Sequence, residues 1–226
     1  MDNSYVIVPV FNEDVGLVRK TVERLSRLPV KIVIVDDGND PSLEPNVIDW
    51  PVYYVRHGVN LGQGAALQTG VEFAARKGGE TFVTFDADGQ HDEGDIPGMI
   101  AMLKREKLDM VFGSRFITDE SNIPWGRKMI LKGAIWVNYL FTGIRMTDAH
   151  NGLRVFNTKA IPAFQFRENR MAHATELLLN MKANRLMFGE SPVKISYTAY
   201  SKNKGQRHSD SLFVLKDLII HKILRS

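Results

Sequence analysis

Five short β-rich runs, each leading into a polar or glycine-containing loop, constrain this chain more than any other feature. They lie at residues 5–10, 31–35, 52–55, 81–85 and 110–112. Helical patterns separate most of them. Residues 14–28 carry Val15, Val18, Val22 and Leu25 at helical spacing, residues 65–75 follow Gly62 and Gly64, and a third helix is expected near 96–104. Strands alternating with helices imply βαβ units and a mostly parallel sheet, hence an α/β fold. The runs are apolar on both faces, as expected where helices cover both sides of a sheet.

The loops carry the polar chemistry: Phe11-Asn12-Glu13, Asp36-Asp37-Gly38, Asn60 to Gly64, Asp86 to His91 and Gly113-Ser114-Arg115. In an open parallel sheet all of them line the edge outside the carboxyl ends of the strands, where ligands bind. The second half has a different pattern. Residues 124–141 read as a long helix with a basic start, 147–154 as a polar turn, 172–183 as a helix and 193–197 as a strand. A basic loop at 201–210 then precedes an amphipathic helix at 212–224.

With 226 residues the chain has material for one sizeable domain. The absence of cysteine excludes disulfides, thiolate metal sites and cysteine nucleophiles, and it fits a reducing cytoplasm. MDNSYVIVPV has no basic n-region, and no apolar run approaches the ~20 residues of a membrane-spanning helix, so neither a leader nor a span is expected. The net charge is +3, with Lys202, Lys204, Arg207, Lys216, Lys222 and Arg225 gathered near the C-terminus. Such a tail suits phosphate, nucleic acid or an anionic membrane, or is simply a solvated basic face.

Asp86 and Asp88 stand at a strand end with one residue between them. Such a pair suits Mg²⁺ or Mn²⁺ held by one or two carboxylates plus diphosphate oxygens. Three other readings compete. A phosphatase nucleophile loop would carry Thr or Val in place of Gln90; an EF-hand needs its glycine two positions later than Gly89; and an Asp-Gly turn needs no ligand. Asp36 and Asp37 suit a nucleobase N–H or a ribose hydroxyl, or else form a β-turn. Arg115 suits bidentate contact with phosphate or a surface ion pair. His91, His150 and His173 lack metal-ligand spacing.

Taken together, VPVFNE at 8–13, VDDG at 35–38, NLGQGAALQTG at 60–70, FDADGQH at 85–91, FGSR at 112–115 and TDAHNGLRVF at 147–156 resemble the family-2 inverting glycosyltransferases of GT-A (Rossmann-like) fold. The nearest sub-group looks like the dolichyl- and polyprenyl-phosphate sugar synthases. The resemblance implies a divalent cation at Asp86, Asp88 and Gln90. It implies donor contacts from Pro9, Asn12, Glu13 and Arg115; Asp36, Asp37, Gly64 and Ala87 are further donor candidates on the same edge, or else serve a β-turn and a helix start. Arg127 and Lys128 match the synthases' interface helix, although Leu131 replaces a hydroxyl residue often found there. Asp148, Gly152 and Arg154 match Asp-x-x-Ser-Gly-Phe-x-Arg, with Asn151 and Leu153 substituted. Lys202, Lys204 and Arg207 match a basic loop that closes over donor and acceptor.

The implied reaction is in-line displacement of a UDP- or GDP-linked sugar with inversion. A polyprenyl phosphate acceptor is already anionic at neutral pH and needs positioning cations. A hydroxyl of a lipid-linked or soluble glycan would need a base, and a catalytically silent nucleotide-sugar-binding module would be expected to lack the carboxylates that Asp86 and Asp88 supply. Asp148, then Glu176, are the candidates for orienting the acceptor or taking its proton. The expected layout is one catalytic domain over residues 1–210 and an amphipathic helix over 211–226, suited to a membrane surface or to packing on the domain. The synthases often continue into transmembrane helices. The expected location is therefore cytoplasmic, peripheral on the inner face of the membrane or bound to a separate membrane subunit, with no nucleic-acid partner.

Overall fold

The computed structural model describes residues 3–117, 133, 135–136, 139–140, 142–149, 151–166 and 173–196. Within them, seven strands form one sheet in the order β3-β2-β1-β4-β6-β5-β7. The strands are β1 (Ser4–Val10), β2 (Lys31–Asp36), β3 (Val52–Arg56), β4 (Thr81–Thr84), β5 (Met110–Ser114), β6 (Arg154–Asn157) and β7 (Phe188–Pro192). All neighbouring pairs are parallel except those of β6, which runs antiparallel between β4 and β5. The helices are α1 (Val15–Leu25), α2 (Glu44–Val47), α3 (Gln63–Arg76), α4 (Asp95–Arg105) and α5 (His173–Ala183), with a 3₁₀ segment at Thr158–Phe164.

The pattern of β1 explains its central place. Val6, Val8 and Val10 join one core layer, while Tyr5 and Ile7 join the other. Alternate side chains of a strand point to opposite faces, and both faces here are covered. Pro9 survives inside this strand because pairing with β4 ends at Ile7↔Thr84. Its missing N–H falls on the β4 side, beyond the Ile7 carbonyl that accepts from Phe85 N. α1 opens on an Asp14 cap, whose Oδ1 accepts from Leu17 N at 2.9 Å, and it buries Val18, Thr21, Val22 and Leu25.

Two expectations change. The last strand lies at Phe188–Pro192 rather than 193–197, where Ile195 makes only an isolated bridge to His91. An edge strand of intermediate exposure, FGESP, has no apolar alternation to betray it. The polar turn at 147–154 runs straight into β6, whose four residues are too few to show a period. The helix expected at 211–226 lies outside the described residues.

Phe156 of β6 is fully buried and stacked between Phe82, with centroids 5.3 Å apart, and Phe164 at 4.1 Å. Phe156→Ala is expected to destabilise the fold by about 3–5 kcal/mol, measured as a lowered midpoint in urea denaturation.

Candidate active site

Six parallel strands end at one edge of the sheet, and antiparallel β6 begins there. Thr84 and Phe112 both lie opposite Arg154, and Ser114 lies opposite Pro192. The loops after β1, β2, β3, β4 and β5 therefore meet the segment 147–153 at this edge. Thr84 Oγ1 ties two of them together by donating to the Gly152 carbonyl at 2.6 Å.

Asp86 is gripped on several sides. Its Oδ1 accepts from Gln63 Nε2 at 3.0 Å, and its Oδ2 lies 3.1 Å from His91 Nε2. Gly152 packs so closely behind it that a β-carbon there would collide with the carboxylate. Burial pushes Asp86 up, but the His91 hydrogen bond and the charges of His91, Arg154 and His173 outweigh it and hold Asp86 below the usual carboxylate range. Asp88 moves the other way: burial raises it, and the Asp86 charge raises it further. Asp88 accepts from Gln90 N at 3.0 Å and from Gln90 Nε2 at 2.5 Å. Glu13 is near enough for its charge to add to the rise. Ala87, between the two carboxylates, is buried.

Arg154, expected among the acceptor contacts, is 2% exposed. It lies beneath the edge, 5.8 Å from the Phe112 ring centroid, and its Nε has no hydrogen-bond partner. Burial pulls its guanidinium down to about 10, offset by Asp86 and Asp148, so it stays cationic at neutral pH. Its guanidinium lies in the field of both Asp86 and Asp148. Asp148 is likewise not presented as an open base. It is 1% exposed, and its Oδ2 accepts from Arg115 Nε at 2.5 Å and Arg115 N at 3.1 Å. The Arg115 ion pair is thus a buried one. Glu190, unnoticed in the sequence, holds this segment by accepting from Thr147 Oγ1 at 2.8 Å and Asp148 N at 3.1 Å.

Asp36 and Asp37 are buried too, and protein donors surround both carboxylates. Asp36 accepts from Asn39 N and Nδ2, Leu43 N and Tyr54 Oη. Asp37 accepts from His57, Asn60, Leu61 and Gly62. A carboxylate offers about four acceptor sites, so these bonds occupy them. Asn39 joins two loops: its Nδ2 donates to the Val10 carbonyl at 3.0 Å, and its Oδ1 accepts from Asn12 N at 2.7 Å. Asn12 takes a positive φ of 53° at this junction. Gly64 is buried in the first turn of α3. Glu176 is half-buried in the first turn of α5, on the face shared with His173. Arg127, Lys128, His150, Lys202, Lys204 and Arg207 lie outside the described residues.

Residues 5–168 match the family model described as Glycosyl transferase family 2. The chain belongs to that family. It is a glycosyltransferase, and its edge-lining loops are those of a family-2 enzyme. An uncharacterized protein of Methanocaldococcus jannaschii is 32% identical over 98% of this chain and 93% of its own length. The UDP-N-acetylglucosamine–dolichyl-phosphate N-acetylglucosaminyltransferase of Methanococcus voltae is 32% identical, over 89% of this chain and 88% of that protein. Among solved structures, glucosyl-3-phosphoglycerate synthase from Mycobacterium tuberculosis, crystallised with Mn²⁺, UDP and glucosyl-3-phosphoglycerate, has the same fold. Its TM-score is 0.63 at 16% identity, over 95% of this chain and 79% of that one. Among the described residues of this family-2 transferase, no helix is long and apolar enough to cross a membrane.

The Asp36 cluster yields a pH prediction. Burial raises Tyr54, and its hydrogen bond to Asp36 raises it further, to about 12. A folded-state value above the unfolded one means the contribution is complete below pH ~10 and is lost as pH climbs through ~12. Tyr54→Phe is expected to cost about 1–2 kcal/mol at neutral pH. In paired urea denaturation curves the gap from wild type should close over that alkaline window. Ultraviolet titration should lose its highest tyrosine step in the variant.

Proposed function

We propose that this transferase moves a sugar from a nucleoside-diphosphate donor to polyprenyl phosphate, with inversion and with Mg²⁺ or Mn²⁺ at the Asp86–Asp88 turn. The observation that carries the donor half is this pair of carboxylates at the carboxyl edge. Both are hard oxygen ligands; burial raises Asp88 and the Asp86 charge raises it further, a repulsion that a cation beside them would relieve. Among the described residues no cluster of three or more His, Cys, Asp or Glu surrounds one point. Two carboxylates therefore suit an ion that takes its remaining oxygens from diphosphate and water. When bound, the cation would offset the charge gathering on the departing diphosphate.

The protein's own part is to orient. Gln63, His91 and Gly152 fix the Asp86 carboxylate, and Gln90 fixes Asp88. Pro9, Asn12, Glu13, Gly64 and Ala87 line or shape the donor end of the edge. Asp36 and Asp37 serve it by holding its loops, since their oxygens already accept internal donors. Arg115, steadied by Asp148, supplies positive charge on the diphosphate side. The polyprenyl-phosphate acceptor is supported by the Methanococcus relative and by the pairing of Asp148. A lipid phosphate needs no base, whereas a hydroxyl acceptor would, and Glu176 would then be the carboxylate to supply it. Arg127, Lys128, Lys202, Lys204 and Arg207 are the proposed acceptor cations. The proposed layout is one catalytic domain over 1–210, with residues 211–226 meeting the cytoplasmic face of the membrane or a membrane subunit.

The test is to incubate the full chain with Mn²⁺, UDP- or GDP-sugars and a polyprenyl phosphate. A lipid product from which mild acid releases the sugar marks a glycosyl phosphate. An acid-resistant glycolipid formed only from glycan acceptors would replace this reading with hydroxyl transfer. Asp88→Asn should lower kcat/KM by about 100-fold or more; near-normal turnover at saturating donor would remove the cation from this turn.

A further inference from the structure

We propose that His57 is a positioning residue of the donor site, which fixes the turn at residues 60–63 through Asp37 and so aims Gln63 at Asp86. The inference rests on reading this edge as the donor site. The His57 side chain is only 9% exposed. Its Nδ1 lies 2.7 Å from Asp37 Oδ1, and its Nε2 lies 2.9 Å from Thr69 Oγ1. An ionised carboxylate only accepts, so Nδ1 carries the hydrogen. In the neutral ring Nε2 then accepts from the Thr69 hydroxyl, and the two partners fix the tautomer between them.

The same Asp37 carboxylate takes Leu61 N at 2.9 Å, Gly62 N at 2.8 Å and Asn60 Nδ2 at 2.9 Å. One imidazole thus links the body of α3, the end of β2 and the turn that enters α3. That turn lacks a brace of its own. Gly62, the N-cap, has φ 99° and no side chain to cap the helix. Gly38, at φ +76°, brings the end of β2 against the Val59–Asn60 backbone, where a β-carbon would collide. Gln63 is the first residue of α3, and its amide reaches Asp86 Oδ1 at 3.0 Å. The path from His57 to the metal-turn carboxylate therefore runs through Asp37 and three consecutive residues of backbone. His57 is assigned no contact with substrate and acts only through this path.

The experiment uses the full chain and UDP with Mn²⁺ as the probe, without acceptor. Calorimetric titration compares wild type with His57→Leu, His57→Asn and Thr69→Val. The Leu variant should raise Kd about tenfold, the loss expected for one hydrogen bond to a charged partner. The Asn variant places an amide nitrogen where Nδ1 stood and should bind nearly as wild type does, with Thr69→Val between the two. Hydrogen exchange supplies a second readout. The Leu61 and Gly62 amides should exchange about tenfold faster in His57→Leu, while those of β1 and β4 keep wild-type protection. If the Leu variant loses protection throughout the sheet, it has unfolded, and the decision passes to the Asn and Val variants. Wild-type Kd in His57→Leu, or an Asn variant as impaired as Leu, overturns the inference and leaves the donor reading standing. A wild-type chain that binds neither UDP nor GDP with Mn²⁺ overturns the donor reading, and this inference falls with it.

Discussion

A charged side chain taken out of water costs several kcal/mol unless donors or counter-charges replace the solvent. At one edge of this sheet the chain buries Asp36, Asp37, Arg115, Asp148 and Arg154. Several of the described loops at that edge donate to these charges. Asp36 draws in Asn39, Leu43 and Tyr54; Asp37 draws in the residues that start α3; Asp148 draws in Arg115. The parallel sheet supplies the place, and the buried charges supply the detail.

This arrangement divides labour between two kinds of carboxylate. Those with filled acceptor sites hold loops. Those at the Asp86–Asp88 turn are only partly buried, with Asp86 held low by the His91 hydrogen bond and nearby positive charge and Asp88 pushed up by burial and then by its neighbour. Arg154 serves both kinds from below, since Asp86 and Asp148 share its field. An edge held this way is organised by its own side chains, which is the kind of preorganisation electrostatic stabilisation depends on.

Much of the frame was legible in the sequence. β1, β2 and β4 are largely apolar runs and α1 has helical spacing, and motif order implied both the fold and the family, which the family model and the relatives bear out. β6 and β7 were not legible, one being only four residues long and the other a half-exposed edge. Within the site, Asp86 and Asp88 stood out because a strand end followed by Asp-x-Asp is unusual. Asn39, Gln63 and Glu190 did not stand out, for each looks like an ordinary polar residue. Only the Asp-Gly-Asn-Asp-Pro turn around Asn39 carried a local signal.

An α/β sheet with polar loops after its strands, and with it the family, is readable from residue order alone. Those features are local or periodic, and the chain carries them whatever its neighbours are. Tertiary structure decided which charges are exposed and which are spent. Arg115 finds Asp148 at a separation of 33 residues, and His57 finds Asp37 at 20. Such pairs exist only because strand order sets β2 beside β3 and brings the 147–153 segment to the end of β5. Burial, which decides whether an acidic residue is spent on internal donors, is a property of that assembly and has no signature at one position. The acid pair at residues 86 and 88 was visible from the start, but what holds it in place was not.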